Sequence, residues 1–127
     1  MGALLLRHEA CSAAEARRAL SADLASAQIR QDRIHDTVLI AGELIGNALM
    51  HARPMSDGNV RITWGVGGGR ARIEVQDGGS ASIPAPRCAD PAQPDGRGLA
   101  IVAAIADGWG YEMRDGCCVV WAELRVG

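Results

Sequence analysis

The sequence contains no lysine and no phenylalanine. All 13 of its basic residues are therefore arginine, set against 15 acidic ones for a formal net charge of −2. Without lysine there is no P-loop, no Schiff-base amine and no phosphate-pairing lysine of the ordinary protein-kinase kind. The aromatic side chains are only Trp64, Trp109, Trp121 and Tyr111. So few aromatics on a slightly acidic chain argue against stacking on nucleic acid, and no direct nucleic-acid partner is expected. No apolar run reaches the roughly 18 residues that cross a bilayer. Met1–Leu6 has no basic residue ahead of its apolar stretch, and Arg7 ends it, unlike a secretory leader. A soluble, cytoplasmic chain with no membrane partner is expected. The cysteines, Cys11, Cys88, Cys117 and Cys118, show neither CxxC spacing nor the paired histidines of a zinc site. They read as reduced, packing thiols, with Cys117 and Cys118 on opposite faces of a strand.

What is present suits one domain. A length of 127 residues falls within the usual domain range and can enclose a core, and 48% of the residues are hydrophobic. Ala3–Leu6 reads as a short strand. Ser12 and Glu15 have capping-box spacing ahead of a first helix running to about Ile29, with Leu20, Leu24 and Ala27 as its stripe. A second helix is expected from Ile34 to Met50, ended by Pro54 and the polar stretch that follows. Val60–Val66 alternates as a strand, turns through Gly67-Gly68-Gly69, and returns as Arg72–Gln76. Asp77–Gly98 is rich in proline and glycine and reads as a long functional loop. Leu99–Ala106 is a short helix. Trp109–Arg114 and Cys117–Arg125 form a second hairpin through Asp115-Gly116. This order predicts an α+β fold, a two-layer sandwich with a mainly antiparallel mixed sheet and helices on one face, in a single domain spanning 1–127.

Several polar residues stand where apolar ones are expected. Glu43 and Asn47 lie one turn apart on the most apolar helix, with His51 a turn further on. Ile40 and Met50 are near that same face, which places the pair against the sheet or a cleft. An isolated pair of this kind is often no more than a solvated stripe. Asp77 ends a strand and opens into Gly78-Gly79, which by itself is commonly a turn. Read functionally, it is an acceptor aimed into a cleft, beside glycines that admit a ligand to the backbone. Gly96-Arg97-Gly98-Leu99 joins the long loop to a helix start, where freed N–H groups favour an anion.

It is the order of these parts that gives them weight. Glu43-Leu-Ile-Gly-Asn47-Ala-Leu-Met-His51-Ala52 resembles the N box of the GHKL family, the Bergerat ATP-binding fold of gyrase and histidine kinases. Asp77-Gly78-Gly79 resembles its first glycine box and Gly96-Arg97-Gly98-Leu99 its second. Gly96–Val102, Asp107-Gly-Trp109-Gly110 and Val120-Trp121-Ala-Glu123-Leu124 are similar to the small actinobacterial anti-sigma-factor serine kinases of the partner-switching type. The likeness spans about residues 12–126.

The resemblance implies ATP and Mg²⁺ as cofactors. It gives Asn47 the Mg²⁺ between the phosphates, and Glu43 the role of general base toward a partner's serine. Asp77 would accept the adenine amino group, and Gly79 would let the base approach the backbone. His51 and Leu99 fall within the cofactor-binding boxes, and Gly96, Arg97 and Gly98 belong to a lid over residues 80–97. The implied partners are a sigma factor and an anti-anti-sigma antagonist, and members of the family often form homodimers. Two departures stand out. Ser80 and Ala81 follow the first glycine box where another glycine is usual. Cys117-Cys118 stands where the last strand often carries an adenine-binding threonine. Three readings result: a serine-protein kinase, a non-catalytic nucleotide-gated adaptor, and an α/β interaction domain.

Overall fold

The computed structural model describes residues 2–79 and 95–127, with backbone alone for 95–98. The chain runs β1 (Gly2–Arg7), α1 (Ser12–Ser26), α2 (Gln31–His51), β2 (Asn59–Gly67), β3 (Arg70–Asp77), α3 (Asp95–Ile105), β4 (Gly108–Arg114) and β5 (Cys117–Arg125). The expected element order is present. Most of the expected 77–98 loop lies outside the described residues.

Alternation sorts the strands into two faces. Val60, Ile62 and Trp64 of β2, Ala71, Ile73 and Val75 of β3, and Val120, Ala122 and Leu124 of β5 are buried against the helices. The residues between them, such as Arg72, Glu74 and Glu123, point to the open face. There Arg72 pairs Glu74 at 2.9 Å and Glu123 at 2.6 Å and stacks 4.5 Å over Trp121. Arg114 extends the ladder to Glu74 and Glu112. The sheet order is β1-β2-β3-β5-β4, and every neighbouring pair is antiparallel. The mainly antiparallel sheet that the sequence predicts is antiparallel at each described pairing. Hairpins through Gly68-Gly69 and Asp115-Gly116, all at positive φ, make two of these pairs antiparallel by construction.

Helix boundaries differ from the sequence reading for local reasons. Ser12 forms no capping box. Its hydroxyl donates back to the Arg7 carbonyl at 2.7 Å, and the preceding Cys11 makes no side-chain cap. The first helix stops at Ser26, short of Ile29. Gln28 turns left-handed (φ 59), and the Gln28 and Ile29 amides bond back to the carbonyls of Ala25 and Leu24. That is a Schellman closure, and it leaves Ala27 exposed. The second helix begins at Gln31 and continues to His51. Met50, expected on the inward face, is 73% exposed.

Helix α2 lies over the middle of the sheet, packed between α1 and α3. Ile34, Ile40, Ala41, Leu44, Ile45 and Ala48 fill its buried face. Helix α1 is fixed to the sheet through the indole N–H of Trp64, which donates to Asp23 Oδ2 at 2.7 Å. That bond is the main cause holding the Asp23 carboxyl below its ordinary value. Trp64 is 7% exposed, so losing its acceptor leaves a buried donor unsatisfied. Replacing Asp23 with Ala is therefore expected to cost about 1–3 kcal/mol in urea unfolding at neutral pH. A depressed carboxyl contributes stability above its unfolded value and loses it as pH falls through the folded one. The gap between wild type and variant should close below the ordinary value of 3.8.

Candidate functional site

The register places the ends of many elements together. The end of β1 (Arg7) pairs with the start of β2 (Asn59), and Arg61 of β2 pairs with Gln76 near the end of β3. Asp77 pairs with Cys118 at the start of β5, and Cys118 with Met113 at the end of β4. The C-terminal end of α2 meets this same edge, because Arg53 bonds to Gly78 and Gly79.

That contact is a two-bond clamp. The Arg53 amide donates to the Gly79 carbonyl at 2.9 Å, and the Gly78 amide donates to the Arg53 carbonyl at 2.7 Å. The approach requires glycine. A Cβ on Gly78 would fall 2.1 Å from the Pro54 carbonyl oxygen, an impossible contact with backbone. Gly79 follows at φ +90, and a Cβ there would enter open space among the described residues. The strand end is thus fastened on one side and open on the other.

Asp77 is 5% exposed. Its Oδ1 accepts the Gly79 amide at 2.7 Å, closing an Asx turn. The turn reading holds: one oxygen closes the turn, while the other has no hydrogen-bond partner among the described residues. Burial raises its pKa, opposed by the Gly79 amide and by the nearby His8. Cys118 beside it is buried, and burial together with Asp77 pushes its thiol up.

Helix α2 carries Glu43, Asn47 and His51 on successive turns. Gly42 faces Arg17 of α1 at 3.4 Å from a Cβ built there. By helical periodicity, Glu43 and Asn47 occupy the flank turned from α1. Both are half-buried, and neither has a hydrogen-bond partner among the described residues. A carboxylate and an amide in that position leave oxygens available to a ligand. An amide oxygen is a hard donor suited to Mg²⁺, so the residues present fit that ion. His51 is exposed in the last turn, two residues before Arg53 of the clamp.

Gly96, Arg97 and Gly98 lie in the first turn of α3, which starts at Asp95, four residues before the expected Leu99. The first turn of a helix has unpaired N–H groups, so glycine there costs less than in a helix interior. Their side-chain placement, and the Ser80 departure, lie outside the described residues. Leu99 is 5% exposed within the core cluster. Sequence reasoning missed two structural contributors, His8 and Arg53. The clash at Gly78 could not be read from Gly-Gly alone, since either glycine satisfies a turn rule.

With this geometry in place, the comparisons define the class. The family model for the histidine kinase-like ATPase domain matches residues 6–124. The chain belongs to that family, and its fold is the Bergerat ATP-binding fold. Among solved structures it is similar to the RsbU and RsbW domains of Rv1364c from Mycobacterium tuberculosis. The TM-score is 0.74 and the identity 19%, over 99% of this chain and 32% of that one. The chain thus spans about a third of the length of that protein's chain. No curated protein matches the sequence.

Two outcomes test the geometry. Gly78→Ala is expected to lower the melting temperature and speed amide exchange at Arg53. Gly46→Ala, whose Cβ meets nothing within 4 Å, should instead stabilise α2 by about 1 kcal/mol. Asp77→Asn should raise the urea midpoint at neutral pH. A carboxyl with a raised folded pKa contributes its stability below the unfolded value and loses it as pH rises through the folded one. The advantage of the variant should therefore vanish as pH falls toward 3.8.

Proposed function

We propose that the chain is a Mg·ATP-dependent serine-protein kinase and anti-sigma factor that acts by partner switching. It phosphorylates an anti-anti-sigma antagonist and releases its hold on a sigma factor when the antagonist is unphosphorylated. The observation that carries this reading is the pair Glu43 and Asn47, half-buried on the flank of α2 away from α1 and without hydrogen-bond partners among the described residues. The similarity to the RsbU and RsbW domains supports it.

Asn47 would hold Mg²⁺ through its amide oxygen, and the ion would supply charge neutralisation on the phosphates. Asp77 offers the oxygen not used in its turn to the adenine amino group, and Gly79 leaves space beside the backbone for the ring. Glu43 accepts the proton of the partner's serine hydroxyl. The serine oxygen forms the new bond to the γ-phosphorus. The bond to the bridging oxygen breaks, and ADP leaves with its electron pair. His51 and the helical turn carrying Gly96, Arg97 and Gly98 complete the phosphate end, with Leu99 anchoring that turn in the core. A cytoplasmic location follows from such partners, and no described helix is long and apolar enough to cross a membrane.

One observation favours a second reading, a nucleotide-gated adaptor without kinase activity. The side chain opposite Asp77 is the buried thiol of Cys118, a weaker hydrogen-bonding group than a hydroxyl. Phosphotransfer to a purified antagonist separates the two readings.

Calorimetric titration with ATP and ADP, with and without Mg²⁺, tests the site. Asn47→Ala should abolish the Mg²⁺-dependent part of the affinity. Glu43→Ala should spare binding and stop transfer, with a rate loss of about 10²-fold or more. Loss of binding in Glu43→Ala with retention in Asn47→Ala would reverse the roles.

A further inference from the structure

His8 belongs to none of the boxes that carry the family likeness. It follows β1 directly, in a turn fixed by three bonds. The Glu9 amide donates to the Arg7 carbonyl at 2.8 Å, the Ser12 amide to the Glu9 carbonyl at 3.1 Å, and the Ser12 hydroxyl to the Arg7 carbonyl at 2.7 Å. Ser12 is 3% exposed, so the far end of this turn is buried, while Glu9, Ala10 and Cys11 are exposed. From it the imidazole reaches 40 and 44 residues along the chain. Nε2 lies 3.2 Å from the Ala48 carbonyl and 2.9 Å from the Ala52 carbonyl. Both neighbours are acceptors, so Nε2 carries a proton and donates.

Those two carbonyls are not ordinary positions. Ala48 follows Asn47, and its carbonyl also receives the last helical bond, from the Ala52 amide at 3.3 Å. Ala52 is the residue at which α2 ends and the chain turns extended (φ −103, ψ 159). Its carbonyl is attached to the nitrogen of Arg53, the residue that clamps Gly78 and Gly79. Ala52 lies past the last helical amide, so its carbonyl has no intrahelical donor, and the imidazole supplies one.

From this we infer that His8 is a positioning residue for the nucleotide site. Its Nε2–H ties the last turn of α2 to the end of β1, fixing the angle at which the chain leaves Asn47 and enters the clamp on Asp77-Gly78-Gly79. It touches no ligand. It acts on the strand end of Asp77 only through Arg53, whose backbone makes the clamp. The inference rests on the nucleotide site proposed above.

The test uses the intact chain and two variants. His8→Leu removes the donor, while His8→Gln keeps an N–H near the position of Nε2. Two quantities are read: the Kd for Mg·ATP, and amide exchange at Arg53 and Gly78 relative to Trp64 and Ile73 in the central strands. His8→Leu is expected to raise the Kd about tenfold and to speed exchange at Arg53 and Gly78 selectively. His8→Gln should recover most of both. Wild-type behaviour of His8→Leu in exchange and affinity would overturn the inference. Equal losses in both variants, or exchange raised uniformly over the sheet, would also overturn it, because bulk rather than the hydrogen bond would then be responsible. If the wild-type chain bound no nucleotide, the proposed function would fail, and selective exchange with rescue by glutamine would still decide whether His8 holds the clamp.

Discussion

The close approach of Gly78 to the backbone of Arg53 and Pro54 is the constraint on which the rest of the site depends. Two short hydrogen bonds join the segment leaving α2 to the end of β3. They form only because position 78 has no Cβ, whose nearest neighbour would be a carbonyl oxygen at 2.1 Å. The clamp decides where α2 ends over the sheet. It thereby decides how Asn47, on the helix, stands relative to Asp77, on the strand.

The helix that the clamp holds is unusual in its polarity. Ile34, Ile40, Ala41, Leu44, Ile45 and Ala48 bury one face completely enough to fix α2 between α1 and α3. The flank beside that face carries Glu43 and Asn47, half-buried and without partners among the described residues. Half-buried polar groups without partners weaken the unliganded fold, since burial removes water without replacing all its hydrogen bonds. Asp77 adds a similar cost, visible as a carboxyl pushed up by burial. Such groups are tolerated where function needs them, and the rest of the domain offsets the cost with a continuous aliphatic core and a paired outer face. On that face charge is satisfied internally: Arg72 and Arg114 are shared among Glu74, Glu112 and Glu123.

At Cys118 the strand's place in the fold and the chemistry opposite Asp77 are set separately. In a strand buried against helices, a thiol packs much as a small apolar group does. The register with Asp77 is set by backbone pairing and does not depend on it. The chemistry opposite Asp77 does depend on it, which is why the fold by itself does not separate a kinase from an adaptor.

Much of this was legible in the sequence. Alternation in β2, β3 and β5, the apolar period of α2, and two glycine turns fix the elements within a few residues, because these signals are local. The order Glu43, Asn47, Asp77 and Gly79 carries the family likeness, because a string of motifs constrains more than any member, and the family model matches residues 6–124. Other features were not legible. Ser12 has a capping-box sequence, yet its hydroxyl turns back to Arg7, since the tertiary path of β1 offers a nearer acceptor. The antiparallel pairing of β3 with β5 depends on a crossover that no local pattern specifies. His8 finds its acceptors 40 and 44 residues away. The sequence by itself determined the elements, their faces and the residue types of the site, because propensity and periodicity act over a few residues. Only the tertiary structure decided which glycine must be a glycine and which histidine holds the helix end, because both follow from contacts between segments far apart in the chain.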